Sequence, residues 1–387
     1  MESLKQEELM SLSIDNIKIK SKPDFNRLLK VLKRDGRPDR VPFYELHINI
    51  IDSIMKDAIK KGDCKDAFEY EIKKEIAFHS RAGYDYISIR ADFSGIRGHA
   101  SKEFQSGSDY LKADENFLFA KPGTHKGNTT EGTRDYIQAG DCIVGNMEEF
   151  EKYPWPDISK VNFSNLDRIK TMLPEGMKTL NFGPGGVLAN VMWLMGYEAL
   201  SFALIEDKAL VKAVFDAVGS RLVKLIGAYA KHEIVGALVL NDDMGFKTQT
   251  LISPEHLREY CFPWHKKIVD AAHQAGKPIL LHACGNLKEV YEDIIASGWD
   301  AKHSYEDIVD PVWEFKAKYG KRISCLGGFD MDKLSRFTPA EVRKHTRFLL
   351  DRCGKDGGYA LGAGNSVADY VPVENYLAML EEGFNYR

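Results

Sequence analysis

The chain has 387 residues, 44% hydrophobic and 28% charged, with a formal net charge of −4. That profile suits a globular protein large enough for one big barrel or two modest domains, and its mild acidity leaves no electrostatic footprint for nucleic acid or an anionic membrane. Six scattered cysteines (Cys64, Cys142, Cys261, Cys284, Cys325 and Cys353) lack the density of a secreted disulfide scaffold. Met1 to Ser21 is polar and mixed in charge, without a signal-peptide pattern, so a reducing cytoplasm is the expected setting.

Residues 1–36 read as an N-terminal extension and a helix, with Phe25, Leu28, Leu29 and Leu32 on one stripe. Eight short apolar or β-branched runs follow, each ending in polar or glycine residues. They are Val41 to Ile48, Tyr84 to Arg90, Lys178 to Phe182, Ala237 to Leu240, Pro278 to His282, Asp300 to Ser304, Arg322 to Leu326 and Gly358 to Leu361. Helical patterns separate most of them. Ser253-Pro254-Glu255 reads as a helix start, and Thr338-Pro339-Ala340-Glu341 as a capping box with proline at the first helical position. Val187 to Ile205, the most apolar window, is interrupted by Asn190, Gly196 and Glu198 and reads as a buried helix.

Strand–helix alternation repeated eight times predicts an α/β fold of the (β/α)8 barrel type over residues 37–387. A doubly wound sheet is the alternative, but its first strand should open into a Gly-rich phosphate turn, and here that strand ends Glu45-Leu46-His47. The stretch of about 93–176 is too long for one crossover helix. Its middle, rich in Gly, Thr, Lys and Asp, reads either as a hairpin layer over the barrel mouth or as a surface excursion.

In such a barrel the chemistry sits at the C-terminal ends of the strands. Those ends carry Glu45 and His47; Arg90 and Asp92; Gly183-Pro184-Gly185-Gly186; Asn241-Asp242-Asp243; His282 and Cys284; His303 and Glu306; Asp330; and Asn365. A barrel that is only a scaffold has no need of this concentration, which argues for an enzyme. His282 and Cys284 lie two apart on a strand, hence on one face, and are ligand types that zinc prefers; the bland reading is a buried strand ending in a polar turn. The Asn-Asp-Asp run either serves the site or caps the next helix. His303 is either a site residue or a hydrogen-bonded core histidine, Asp330 may do no more than end its strand, and Cys325 reads as core.

From about Arg37 to Phe384 the chain resembles the uroporphyrinogen decarboxylase superfamily of (β/α)8 barrels. The landmarks are Arg37-Pro38-Asp39-Arg40-Val41-Pro42, Tyr153-Pro154-Trp155-Pro156-Asp157, Leu281-His282-Ala283-Cys284-Gly285, Leu326-Gly327-Gly328-Phe329-Asp330, Gly358-Tyr359-Ala360-Leu361-Gly362 and Pro372-Val373-Glu374-Asn375. Where true decarboxylases carry an arginine-rich segment for the substrate's carboxylates, this chain reads Phe43-Tyr44-Glu45-Leu46-His47-Ile48, which argues against a porphyrinogen substrate. His282-x-Cys284-Gly285 instead resembles the zinc-dependent corrinoid methyltransferase branch. That branch has a second cysteine after the eighth strand, where this chain reads Gly362-Ala363-Gly364-Asn365-Ser366.

The resemblance implies zinc on His282 and Cys284; without the second cysteine, either the metal is lost and the two residues are structural, or an oxygen ligand such as Asp243, Glu306 or Asn365 completes the site. It implies catalytic roles for Asp242, Asp243 and His303, with one of the aspartates ligating the metal or orienting His282. Glu45, His47, Arg90, Asp92, Asn241, Glu306 and Asn365 are the expected substrate-binding residues. The methylcorrinoid is expected on a partner protein, since no Asp-x-His-x-x-Gly segment is present. The rival readings are a metal-free decarboxylase of a smaller substrate using Arg90 and Asp92, and a non-catalytic corrinoid- or tetrapyrrole-binding protein.

Overall fold

The computed structural model describes residues 17, 19, 21–55, 58–90, 118–119 and 142–386, together with the backbone of 123–129 and 132–138. Asp92 and most of the expected insertion lie outside the described residues. Seven parallel strands form one sheet: β1 (Tyr86–Arg90), β4 (Lys178–Phe182), β5 (Val235–Asn241), β6 (Ile279–His282), β7 (Ala301–His303), β8 (Ser324–Leu326) and β9 (Tyr359–Ala360), hydrogen-bonded in that order. Within the insertion, β2 (Gly123–Thr129) and β3 (Gly132–Gln138) pair as an antiparallel ribbon. The protein is a (β/α)8 barrel in which the first stave, expected at Val41 to Ile48, is not a laddered strand.

The expected first strand, Val41 to Ile48, is held against the end of the sheet by isolated parallel bridges, Phe43 to Leu361 and Ile48 to Val367. Leu361 N–H donates to Pro42 O and Tyr44 N–H to Leu361 O, but Pro42 has no N–H and the chain bulges before the next bridge. Toward β1 the join is made by a side chain. The Tyr86 hydroxyl accepts from Glu45 N–H at 2.8 Å and sits 3.2 Å from Glu45 O, to which it donates. A phenol thus satisfies the two backbone groups that a ladder would otherwise pair.

Helices end where their chemistry dictates. Asp66 accepts from Glu69 N–H to start Ala67–Arg81, Ser253 accepts from His256 N–H, and Thr338 with Glu341 completes the predicted capping box of Pro339–Leu349. The window Val187 to Ile205, expected as one buried helix, is two: Val187–Met195 and Tyr197–Glu206, bent by 97° at Gly196. The first is nearly all buried, while the second exposes Phe202 and Ile205. No single helix among the described residues is long and apolar enough to cross a membrane.

Register aligns the barrel in layers. Arg90, Phe182, Val239, Leu280, Ala301 and Ser324 stand side by side on successive strands. Two residues further along, Asn241, His282 and His303 form the next row. Neighbours in register share a face, so these three side chains meet at the mouth.

Candidate metal centre at the barrel mouth

β6 delivers His282, and the turn beyond it delivers Cys284. Gly285 follows with φ +80°, its α-carbon packed so tightly on Gly245 that a β-carbon would lie 2.3 Å from the Gly245 carbonyl. This glycine lets the β5 and β6 loops touch, which brings Asp243 to Cys284. Cys284 N–H donates to Asp243 Oδ1 at 2.8 Å. His282 Nε2 lies 3.4 Å from Cys284 Sγ and 3.8 Å from Asp243 Oδ1, and the three potential ligand atoms lie within 4.8 Å of one another. Ligands of a tetrahedral zinc stand roughly 3.5 Å apart, so this nitrogen–sulfur–oxygen tripod fits such an ion and leaves a fourth position open.

The surroundings agree with that fit. Burial holds His282 down to about 3 and His303 well below the usual imidazole range, so both rings are neutral. Burial, with Asp243 and Glu306 nearby, pushes the Cys284 thiol up, and burial raises the Asp243 carboxyl. A divalent cation would reverse the last two trends, since it favours thiolate and carboxylate. Asp243 is 48% exposed into the mouth, which leaves the tripod accessible. Asn241 Oδ1, in register with His282, is buried without a hydrogen-bond partner.

Asn365 occupies the far side of the sulfur. Its Oδ1 accepts from Ser366 N–H at 2.8 Å, which turns Nδ2 to donate to Cys284 Sγ at 3.4 Å. Of the three oxygen ligands considered from sequence, Asp243 is therefore the one grouped with His282 and Cys284; Asn365 presents a donor, and Glu306 acts on the thiol through its charge.

Asp242 faces elsewhere. Its carboxylate accepts from Val187 N–H (2.9 Å), Leu188 N–H (3.2 Å) and Ala189 N–H (2.9 Å), capping the helix that begins there. His265 Nε2 lies 2.7 Å away and Cys261 Sγ 3.7 Å away, all fully buried. A β-carbon on Gly186 would fall 2.1 Å from Asp242, so this glycine permits the packing. Asp242, expected from sequence at the site, here accepts from a helix N-terminus and is grouped with Cys261 and His265, apart from His282 and Cys284. Of the two roles expected for an aspartate, ligation or orientation of His282, the grouping of Asp243 with His282 and Cys284 suits ligation, while His282 Nδ1 meets His303 Nδ1 at 2.8 Å.

Three further predicted residues lie around a cavity of about 300 Å³, while Asp92 lies outside the described residues. Glu45, His47 and Arg90 line it from the strand side. His47 stacks on Phe182 with ring centroids 4.8 Å apart and lies 3.3 Å from an Arg90 guanidinium nitrogen. Burial, reinforced by Arg90, keeps His47 neutral, while burial raises Glu45. Glu71, Glu75 and His79 close the other wall. These three were missed from sequence, although their i, i+4, i+8 spacing puts them on one helical face. Asp330 caps Met331–Arg336, a role its reading as the end of a strand did not include, and Cys325 is core.

The sequence model of the family described as uroporphyrinogen decarboxylase (URO-D) matches residues 142–385. The chain belongs to this family. No curated protein matches it. Among solved structures, a methyltransferase from Methanosarcina mazei superposes with a TM-score of 0.63 at 14% identity, covering 94% of this chain and 98% of that one. At that identity the likeness speaks for the fold. Xylanase B from Clostridium stercorarium F9 aligns at 10% identity over 57% of this chain and 84% of its own, with a TM-score of 0.35, too loose to inform the site.

Proposed function

We propose that this member of the family is a methyltransferase that moves a methyl group between a small molecule and a corrinoid protein, with zinc held by His282, Cys284 and Asp243. The tripod at the mouth carries the reading. The solved structure that superposes over nearly the whole chain is itself described as a methyltransferase, which supports it.

A zinc ion held there supplies Lewis acidity to the heteroatom that bears the methyl group. One thiolate with a carboxylate donates less charge than two thiolates, and the Asn365 N–H withdraws more from the sulfur. This ligand set suits an oxygen leaving group, as in a methyl ether or alcohol. Asn241 Oδ1, buried without a partner beside His282, supports a polar role for this position in the site. His47 and Arg90 line the adjoining cavity, where they position the rest of the small molecule. In an in-line displacement the reduced cobalt of the partner's corrinoid would attack the methyl carbon, forming the C–Co bond as the C–O bond breaks. The oxygen would keep the bonding pair and take a proton from solvent, with the rate coming from alignment and charge stabilisation.

The test follows cobalamin absorbance during anaerobic incubation of the zinc-loaded protein with cob(I)alamin and a panel of methyl ethers, alcohols and thioethers. Methylation by an oxygen donor, lost in Asp243→Ala, is the expected result. Absence of methyl transfer with every donor, and of demethylation of methylcobalamin with the corresponding acceptors, would turn the reading toward metal-free decarboxylation or ligand binding alone.

A further inference from the structure

His282 has two ring nitrogens, and only an unprotonated Nε2 can face the Cys284–Asp243 pocket as a ligand. A neutral imidazole carries its proton on one nitrogen or the other, in nearly balanced tautomers unless a neighbour chooses. The hydrogen bonds around His282 make that choice.

At the outer end, both Glu45 carboxyl oxygens accept from Ala363 N–H, at 3.0 and 3.2 Å. The carbonyl of the same residue, Ala363 O, lies 3.1 Å from His303 Nε2. A carbonyl only accepts, so His303 carries its proton on Nε2. In the neutral ring His303 Nδ1 is then an acceptor, and it faces His282 Nδ1 at 2.8 Å. His282 must donate there, which leaves its Nε2 with a free lone pair, 3.4 Å from Cys284 Sγ. Tyr44 packs edge-on against His303, ring centroids 5.2 Å apart, and both are fully buried, so the His303 ring is not free to turn over.

We infer that His303 is a positioning residue that holds His282 in its Nδ1–H tautomer through the Ala363 carbonyl, with Glu45 anchoring that peptide. The inference deepens the proposed zinc site and rests on it for its purpose, though the tautomer exists without the ion. It gives His303 a role distinct from proton transfer to substrate, and Glu45 one distinct from substrate binding.

Two measurements test it. Long-range 1H–15N spectra of metal-free, 15N-histidine-labelled wild type report which nitrogen of His282 is protonated. Chelator competition reports Zn(II) affinity for wild type, His303→Leu and His303→Asn. Asparagine Oδ1 stands where Nδ1 stood and can accept from His282; leucine cannot. The expected results are a protonated Nδ1 and bare Nε2 on His282, zinc affinity lowered roughly 10–100-fold in the leucine variant, and affinity within about threefold of wild type in the asparagine variant. An Nε2–H tautomer in wild type, or a folded leucine variant that binds zinc as tightly as wild type, would overturn the inference. A wild type that takes up no zinc would sink the metal reading, while the spectra would still decide the tautomer.

Discussion

Asp242 and Asp243 are adjacent, chemically identical and, on this structure, devoted to different tasks. Replacing Asp242 by alanine removes the acceptor of three backbone N–H groups at 2.9, 3.2 and 2.9 Å and of His265 at 2.7 Å, all without solvent access. A hydrogen bond to a charged group is worth about 1.5–3 kcal/mol, and each buried donor left unmade costs about 1–3 kcal/mol. Simple addition overshoots, because the donors share one carboxylate and the helix end can relax. Breaking one partner of a buried charged network typically costs about 3–5 kcal/mol, which is the loss expected here. Asp243→Ala removes one backbone contact, to Cys284 N–H, at a half-exposed side chain, so about 1 kcal/mol is expected. Urea unfolding of metal-free wild type and both variants checks the contrast, with zinc binding measured in parallel. Asp242→Ala should unfold at much lower urea yet, where still folded, bind zinc; Asp243→Ala should unfold near wild type and bind zinc poorly. The reverse pattern would refute the assignment of the two aspartates.

Other predictions address the cavity, the seam and the sulfur. Burial raises the Glu75 carboxyl to about 8, so its contribution to stability is fully present below the unfolded value of 4.5 and is lost as pH rises through 8. Its side chain is 27% exposed, so Glu75→Gln should be more stable than wild type by about 2 kcal/mol at pH 9 and equal to it near pH 4, as urea titrations at the two pH values would show. Tyr86→Phe leaves Glu45 N–H and O unpaired at the join beside β1 and should lower stability by about 1–3 kcal/mol without changing zinc stoichiometry. Asn365→Cys places a second sulfur beside Cys284 and should tighten zinc binding at least tenfold while lowering transfer from oxygen donors; unchanged affinity would show that position 365 stands too far from the ion.

Sequence patterns carried most of the fold because each strand is an apolar run closed by polar or glycine residues, and Lys178–Phe182 matches its expected limits residue for residue. The first stave escaped because the Tyr86 hydroxyl and two isolated bridges replace its ladder, and no local pattern encodes a distant phenol. The His282–Cys284 spacing is visible in the sequence, although β6 ends at His282 and Cys284 lies in the turn beyond it. Asp243 could not be separated from Asp242, because the division depends on where Val187 begins its helix and on how closely Gly245 and Gly285 approach. Cys261 and His265 sit on a helix far from Asp242 in sequence, and only packing joins them. Sequence offers His303 as a catalytic candidate or a core histidine; the register that sets it beside His282 and its contact with the Ala363 carbonyl emerge only in the fold.

The central claim is a zinc ion on His282, Cys284 and Asp243, and metal content by mass spectrometry on anaerobically purified protein tests it most directly. About one zinc per chain is expected in wild type, with Cys284→Ser and Asp243→Ala largely empty and Cys261→Ser still loaded, since Cys261 belongs to the Asp242 cluster. Wild type without zinc even after reconstitution, or zinc retained in Cys284→Ser but lost in Cys261→Ser, would contradict it.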